Sequence, residues 1–245
     1  MADSTDRKHW SSVAQEWIAW ARAPNHDAFW AYRAALRDFI GQGQGDALDL
    51  GCGEGRVSRE LKSLGYRVTA TDAVVELAQA AAEAGSADEY VVADAKALPL
   101  KDNRFDLVVS YNLLMDVDDV LAVLTEARRV MRATGRLLIS IVHPFADRGR
   151  FAGTAADAPF VREGTYFGRQ RFEGMEERDG LRMRFAGWSQ PLEAYARYLR
   201  KAGFVIAALR EPLPDTSEGR GHLAKWTRMP LFLWLDARIW QPESD

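Results

Sequence analysis

The stretch that decides the fold is Ala47-Leu48-Asp49-Leu50-Gly51-Cys52-Gly53-Glu54-Gly55-Arg56-Val57-Ser58-Arg59-Glu60-Leu61. It begins with a short apolar run, continues with three glycines on alternate positions and ends with apolar residues at helical spacing. This order predicts a buried strand, a tight turn and a helix that begins at the turn. Because glycine has no Cβ, such a turn can adopt positive φ and let a ligand lie against the backbone. We therefore expect a nucleotide-like ligand above the carboxyl end of this strand.

Length and composition fit one large α/β domain, or such a domain with a cap. The chain has 245 residues and a net charge of −3, so nothing in its charge balance favours a nucleic-acid partner. The single cysteine, Cys52, cannot form an internal disulfide, which fits a reducing compartment. The first eight residues are polar, and no apolar run is long enough to span a membrane. We expect a soluble, cytoplasmic monomer or homodimer that does not bind membranes.

The segment before the glycine turn is predicted to be helical and aromatic. Apolar residues follow helical spacing over 9–40, with a break at Pro24-Asn25, so we expect two helices, the second capped by Asn25 or Asp27. Core packing is the usual role of a single tryptophan, but a group of them here suggests a lid with an apolar underside. The tryptophans of this segment are Trp10, Trp17, Trp20 and Trp30.

After the turn, strand patterns alternate with helix patterns, which predicts a parallel sheet with helices on both faces. Residues 145–190 lack a helical period, and weak alternation at 165–172 and 181–188 suggests a hairpin. The remaining predicted strands are 66–71, 89–93, 105–110, 136–143, 204–210 and 229–235, and the remaining predicted helices are 74–84, 117–131 and 191–202.

Charged residues beside the turn identify the ligand more closely. A dinucleotide turn would have glycine at its sixth position, where this chain has Arg56. Asp49, two positions before the turn, disfavours a pyrophosphate and favours a cation. Asp72 and Asp94 end the next two strands, where they can accept hydrogen bonds from ribose hydroxyls and from an exocyclic amine. S-adenosylmethionine has adenine, a ribose diol and an ammonium group without phosphate, so it satisfies all of these positions.

Four sequence elements in order resemble class I S-adenosylmethionine-dependent methyltransferases over residues 46 to 143. These elements are Leu48-Asp49-Leu50-Gly51-Cys52-Gly53-Glu54-Gly55, Thr71-Asp72, Ala93-Asp94-Ala95 and Phe105-Asp106-Leu107-Val108-Val109-Ser110. The resemblance implies a doubly wound, Rossmann-like, seven-stranded sheet, mostly parallel, with the last strand antiparallel. It also implies an S-adenosylmethionine-binding core at 45–145 and 191–245, a helical lid at 1–44 and an insertion at 146–190 that contributes to the acceptor pocket.

The resemblance also implies which residues bind the cofactor. Gly51 and Gly53 would lie under its methionine part with Asp49 near the ammonium, and Asp72 would bind the ribose. Asp94 and Ala95 would flank the adenine. The full set of expected cofactor residues is Asp49, Gly51, Cys52, Gly53, Asp72, Ala73, Asp94, Ala95 and Tyr111.

The leading segment Trp10-Ser11-Ser12-Val13-Ala14-Gln15-Glu16-Trp17 resembles the lid helix of small-molecule methyltransferases. Together with an aromatic insertion it suggests a small aromatic or apolar acceptor, methylated on oxygen or nitrogen. Arginines of the insertion could bind an acidic group or lie on solvated hairpin faces. The residues expected to bind the acceptor are Trp10, Trp17, Trp20, Asn112 and Tyr166.

Two histidines are candidates for a general base, because the pKa of histidine suits proton transfer at neutral pH. His143 lies at the end of the fifth predicted strand before a proline, and a structural role within the loop is equally compatible with that place. His26 would lie under the lid or cap a helix at the surface. The acids Asp116, Asp118 and Asp119 precede a helix, where negative charge is favourable, so we expect no metal site.

Two alternatives to a small-molecule methyltransferase stay open. An RNA-modifying methyltransferase would need a basic face and a recognition appendage. A cofactor-binding protein without methyl-transfer activity is compatible with the same cofactor motifs.

Overall fold

The computed structural model describes residues 5–153, 155–217 and 220–240. The ends of the predicted lid and core ranges, residues 1–4 and 241–245, lie outside these described residues. Within the described part of the chain, no helix combines the length and the apolarity that a bilayer-spanning segment needs.

Seven of the strands form one sheet in the order β10-β11-β5-β4-β1-β2-β3, in which only β11 runs antiparallel to its neighbours. This confirms the predicted doubly wound sheet with its antiparallel last strand. The strands of the sheet are β1 (Asp46–Leu50), β2 (Arg67–Asp72), β3 (Glu89–Val92), β4 (Phe105–Tyr111), β5 (Met131–Val142), β10 (Phe204–Arg210) and β11 (Phe232–Ile239).

Helices cover both faces of the sheet and bury an apolar cluster on each. Along β1, Ala47 belongs to one cluster and Leu48 to the other, as expected for successive side chains of a strand covered on both faces. The helices are α1 (Thr5–Arg22), α2 (Ala28–Ile40), α3 (Arg56–Ser63), α4 (Val75–Glu83), α5 (Val120–Val130), α6 (Leu192–Lys201) and a 3-10 helix at Gly221–Thr227.

The two leading helices pack differently. Asp27 caps α2, because its side chain accepts a hydrogen bond from the Phe29 amide at 3.2 Å. Along α2, Phe39 stacks on Trp234 of β11 with ring centroids 5.6 Å apart, so this helix belongs to the covering layer of the sheet. Helix α1 instead packs against α4 and the hairpin of the insertion.

The insertion contains two antiparallel hairpins, formed by β6 (Gly149–Phe151) with β7 (Phe160–Arg162) and by β8 (Gln170–Arg178) with β9 (Leu181–Ser189). The predicted first arm at 165–172 is wrong, since the strand begins at Gln170. The turn that connects β8 and β9 is Asp179-Gly180, and these two residues have φ of +51° and +77°. An Asp-Gly pair is a strong signal for a two-residue hairpin turn, and it places the arms correctly.

Candidate active site

The glycine turn is held to the end of β2 by backbone hydrogen bonds. The amides of Gly51 and Cys52 donate to the Thr71 carbonyl at 2.8 and 2.9 Å. The Asp72 carboxylate accepts from the Gly53 amide at 2.8 Å and from the Val74 amide at 2.9 Å. Burial raises the pKa of Asp72, against the lowering effect of these amides. Asp72 therefore shapes the turn, and it also lines the space above the turn.

Asp49 lies beneath the turn and is 1% exposed. Its Oδ2 accepts a hydrogen bond from the Ser58 hydroxyl at 2.6 Å. Burial, followed by the charges of Asp72 and Glu54, raises the pKa of Asp49 to about 7 despite that hydrogen bond. A ligand cation at this position would offset the buried negative charge and lower that pKa again.

A cavity of about 580 Å³ opens at the carboxyl ends of β1 to β5. Its volume is within the range of roughly 300–1,000 Å³ that is typical of small-molecule sites. We call the part lined by the glycine turn and the ends of β2 and β3 the turn half. It includes every residue predicted to bind the cofactor except Tyr111, which lines the cavity at the end of β4: Asp49, Gly51, Cys52, Gly53, Asp72, Ala73, Asp94 and Ala95.

The turn half fits an adenosine-type cation. Gly51 has φ of +74°, and a Cβ there would lie 2.7 Å from Leu113 Cδ1, so a larger residue would displace the wall of the cavity. The Asp94 Oδ1 accepts from the Lys96 amide at 2.9 Å, while the side chain stays 40% exposed at the cavity mouth. Acidic side chains outnumber basic ones in the cavity lining, which favours a ligand of positive charge. Burial raises the pKa of the Cys52 thiol well above its usual value, so Cys52 is a packing residue and not a nucleophile.

Arg56 is a site residue that the sequence analysis missed. It is buried, its Nη1 donates to Asp27 Oδ2 at 2.5 Å, and its guanidinium lies 4.7 Å from the Trp17 ring and 4.6 Å from the Phe29 ring. Arg56 therefore ties the glycine turn to both leading helices. The sequence did contain a signal for Arg56, because it occupies the sixth position of the turn, where a dinucleotide-binding turn has glycine.

The rest of the cavity, which we call the aromatic half, is walled by α1, the 112–118 loop, the β8–β9 hairpin and the 3-10 helix. The predicted acceptor residues Trp10, Trp17, Trp20 and Asn112 line the cavity. Asn112 has φ of +56°, and its Oδ1 accepts from the Ser140 hydroxyl at 2.9 Å. Besides Tyr111, the other aromatic lining residues of the cavity are Phe29, Phe172, Phe185, Trp226 and Phe232.

Arginines of the hairpin bind α1 to the cavity. Arg171 forms an ion pair with the buried Asp6, and the Arg184 Nη2 lies 2.8 Å from Glu16 Oε1. Each of these two arginines therefore pairs with an acid of this chain, and the hairpin and α1 form one composite wall.

His143 does not line the cavity. Its Nδ1 accepts from the Phe145 amide at 3.1 Å, and its Nε2 lies 3.0 Å from Glu211 Oε1. Since Nδ1 is an acceptor, Nε2 carries the proton and donates to Glu211. Burial lowers the pKa of His143, against the effect of Glu211. Both ring nitrogens have partners within the protein, which argues against a general base and favours the structural role that the sequence left open.

His26 and Tyr166 also lie outside the cavity lining. The His26 ring packs edge-on against Trp20 at 4.3 Å, and its Nδ1 is 3.4 Å from Asp179 Oδ2 of the hairpin turn. The Tyr166 hydroxyl accepts from the Leu192 amide at 3.0 Å at the start of α6. Both side chains support the walls of the cavity from behind.

The acids after β4 have three different environments. Asp119 caps α5 by accepting from the Ala122 amide at 3.0 Å, and Asp118 lies 2.7 Å from Lys96 Nζ. Asp116 lines the aromatic half of the cavity, a position that its sequence pattern did not predict. In the ranges that the structure describes, no group of three or more His, Cys, Asp or Glu side chains is arranged to hold a metal ion.

Comparison with known families gives a match over the core. Residues 48–139 match the family described as a methyltransferase domain. The malonyl-[acyl-carrier protein] O-methyltransferase of Pseudescherichia vulneris is 40% identical over 88 residues, which are 36% of this chain and 35% of that protein. The corresponding protein of Hamiltonella defensa is 37% identical over 38% of this chain and 36% of its own length. The chain thus matches little more than a third of the length of these curated relatives.

Solved structures resemble the chain over most of its length. The S-adenosylmethionine-dependent methyltransferase from Mesorhizobium loti has a TM-score of 0.68 and 25% identity, covering 86% of this chain and 98% of that one. The Burkholderia thailandensis 1,6-didemethyltoxoflavin-N1-methyltransferase has a TM-score of 0.57 over 98% of this chain and 93% of that one, and at 19% identity it shows the fold. Residues 48–139 are therefore similar to a methyltransferase domain, and the likeness to the Mesorhizobium loti structure supports the predicted domain type and the predicted cofactor, S-adenosylmethionine.

Proposed function

We propose that this protein transfers a methyl group from S-adenosylmethionine to an oxygen or nitrogen of a small acceptor with an aromatic or apolar body. The observation that carries the proposal is the continuity of the cavity. Cofactor residues from separate strand ends and tryptophans from α1 line the same space. A donor and an acceptor in that space would be held next to each other, which is the main requirement of a displacement at carbon.

In this proposal the turn half holds the cofactor. Gly51 and Gly53 lie under its methionine part, Asp49 faces the ammonium, Asp72 accepts from the ribose hydroxyls and Asp94 accepts from the adenine amine. When bound, the cofactor supplies a methyl group on a positively charged sulfur. The acidic lining of the cavity favours that charge.

The aromatic half holds the acceptor and excludes water. Trp10 and Trp17 pack edge to face with ring centroids 5.7 Å apart, and α1 is fastened over the cavity by the hairpin arginines. A water-poor cavity strengthens electrostatic contacts with the reacting groups. Helix α1 is therefore the lid of the proposed site.

The acceptor of the relatives does not carry over to this chain. The family match ends at residue 139, before the insertion that walls the aromatic half. The malonyl-[acyl-carrier protein] O-methyltransferases cover little more than a third of this chain. Likeness to them supports the reaction class, whereas the acceptor has to be argued from the cavity of this protein.

The acidic cavity also argues against an RNA acceptor, because phosphate groups would meet like charge at its mouth. The other alternative, cofactor binding without transfer, is tested by activity. We expect the purified protein to incorporate label from methyl-labelled S-adenosylmethionine into members of a panel of aromatic alcohols and amines. Asp102 is exposed and does not line the cavity, so Asp102→Asn should transfer label equally well, whereas Asp72→Asn should transfer less. Cofactor binding with no incorporation across the panel would contradict the proposal.

A further inference from the structure

Asp116 is fixed in the aromatic half with its carboxylate free. Its loop is held by the Trp188 amide, which donates to the Met115 carbonyl at 2.7 Å. Arg169 donates to the carbonyls of Val117 and Asp118, both at 2.7 Å. Among the described residues, no donor forms a hydrogen bond with the Asp116 carboxylate. A rigid loop thus presents an acid without a partner to the cavity.

The opposite strand leaves room for this carboxylate. Gly187 of β9 faces the loop, and a Cβ at that position would lie 2.9 Å from Asp116 Oδ1 and 2.9 Å from the Met115 carbonyl oxygen. Any other residue at Gly187 would push the acid away. The hairpin therefore accommodates Asp116 where it stands.

One oxygen of a second acid in the aromatic half, Asp147, also lacks a hydrogen-bond donor among the described residues. The side chain of Asp147 is only 8% exposed and lines the cavity. Burial raises the pKa of this carboxyl, and a side-chain hydrogen bond with Ser189 opposes the rise. Within the described part of the chain, the oxygen without a hydrogen-bond partner is the buried Oδ1. The nearest cation, Arg162 Nη2, is 3.7 Å from that oxygen, beyond hydrogen-bonding distance. A buried carboxylate oxygen without a donor is costly, so a donor from a ligand would be favoured there.

Asp116 and Asp147 are both close enough to Tyr195 for their charges to affect its pKa. Burial first, and then the charges of Asp147 and Asp116, raise the pKa of the Tyr195 phenol. Burial also raises the pKa of Asp116, with the charge of Asp6 adding to the effect and Arg171 opposing it. Arg171 itself is paired with Asp6. This end of the cavity is therefore rich in hydrogen-bond acceptors and unfavourable for a further anion.

We infer that Asp116 and Asp147 recognise the reacting end of the acceptor, which is a hydroxyl or amine on an aromatic body and not a carboxylate. This inference rests on the proposed function and names its substrate class. A hydroxyl or amine donates to these acids, whereas a carboxylate would be repelled by them.

The position of Asp116 also allows it to accept the proton that the methyl acceptor loses. The acceptor's lone pair forms the new bond to the methyl carbon, and the electron pair of the broken bond stays on the sulfur of the cofactor. The acceptor then loses one proton, and Asp116 takes it on a carboxylate oxygen. Asp116 is the catalytic residue in this account, and Asp147 positions the acceptor.

Three matched probes test the inference without knowledge of the natural acceptor. Protein saturated with S-adenosylhomocysteine is titrated with 2-naphthol, 2-naphthylmethylamine and 2-naphthoate, and binding is followed by calorimetry. Because burial raises the pKa of Asp116, the titrations are made at an alkaline pH at which Asp116 is ionised. We then expect the alcohol and the amine to bind at least about tenfold more tightly than the carboxylate, since the carboxylate brings like charge to Asp116. In Asp116→Asn the preference should shrink to less than about threefold, while Asp102→Asn should keep the wild-type order.

Unchanged affinity of Asp116→Asn for S-adenosylhomocysteine would show that the variant is folded. Equal or tighter binding of 2-naphthoate to the wild-type protein would overturn the inference. So would an unchanged preference in Asp116→Asn, or no binding of any probe to the loaded protein. Failure to bind S-adenosylhomocysteine at all would instead contradict the proposed function, so the two failures are distinguishable.

Discussion

The turn half and the aromatic half of the cavity are built by different means. The turn half is made of backbone: left-handed glycines, amides that donate to Thr71 and Asp72, and short loops at the ends of parallel strands. The aromatic half is made of side chains from α1 and a distant hairpin, joined by ion pairs such as Arg171 with Asp6. Changes in the turn half should therefore affect folding and cofactor binding together. Changes in the aromatic half should affect the acceptor alone.

The largest expected effect comes from a Cβ in the glycine turn. Gly51 and Gly180 have nearly the same φ, +74° and +77°, but only Gly51 has a neighbour within reach of a new Cβ. Gly180→Ala should cost about 1–2 kcal/mol of backbone strain. Gly51→Ala adds the clash with Leu113 and should cost about 2–4 kcal/mol in urea unfolding, with loss of S-adenosylhomocysteine binding. Equal costs for the two variants would contradict the close packing of the turn.

Asp72→Asn tests the link between the turn and the cofactor. The Gly53 and Val74 amides donate to different oxygens of Asp72, so the side-chain amide of Asn can accept from only one of them, and it loses the charge. We expect affinity for S-adenosylhomocysteine to fall by about 10–100-fold, from lost charge-assisted hydrogen bonds to the ribose. Asp102→Asn is the control, and a matching loss in that variant would argue against a specific role of Asp72.

Arg171→Met tests the aromatic half. It leaves the buried carboxylate of Asp6 without its cation, so we expect a loss of about 1–2 kcal/mol of unfolding free energy. Binding of 2-naphthol should weaken, whereas S-adenosylhomocysteine affinity should stay within about twofold because the turn half is untouched. The exposed Arg182→Met is the matched control. A large loss of cofactor affinity in Arg171→Met would mean that the two halves are not separable.

The pH dependence of cofactor binding tests Asp49. Because the pKa of Asp49 is raised to about 7, the free protein holds a proton there that a bound ammonium group would expel. Affinity should therefore rise with pH up to about 7, and fall only at alkaline pH as the α-amino group of the ligand loses its charge. Calorimetry of S-adenosylhomocysteine binding at several pH values measures this. Asp49→Asn should flatten the rise below pH 7, and an unchanged profile would remove Asp49 from the ammonium site.

The smallest effect is expected for His143→Gln. Both ring nitrogens of His143 are occupied by Phe145 and Glu211, so the cost should be about 1 kcal/mol of stability. The rate of methyl transfer should stay within about threefold of wild type. A loss of 10²–10⁴-fold in kcat would restore His143 as a general base.

The turn half was predictable because its signals are local. Residues 47–61 contain the strand, the turn and the helix, and Asp72 and Asp94 end the next two strands along the chain. Each of these positions depends on backbone geometry that neighbouring residues specify. The antiparallel last strand, β11, was implied by the family resemblance that these motifs carry.

The aromatic half was predicted only in outline because its contacts join residues far apart in the chain. The tryptophans of α1 do line the cavity, but Tyr166 and both histidines point elsewhere, held by partners such as Leu192 and Glu211. Asp116, Asp118 and Asp119 all precede the same helix, so the sequence does not tell them apart. The packing of Gly187 of the distant hairpin against Asp116 shows that this acid has a different environment. No short stretch of sequence encodes these pairings.

The central claim is that the glycine turn binds an adenosine cofactor without phosphate. Calorimetric titration of the wild-type protein with S-adenosylhomocysteine, in parallel with NAD, tests it most directly. The structure predicts one site per chain for S-adenosylhomocysteine, weakened in Asp72→Asn, and no measurable binding of NAD at the same concentrations. Binding of NAD in preference to S-adenosylhomocysteine would contradict the account.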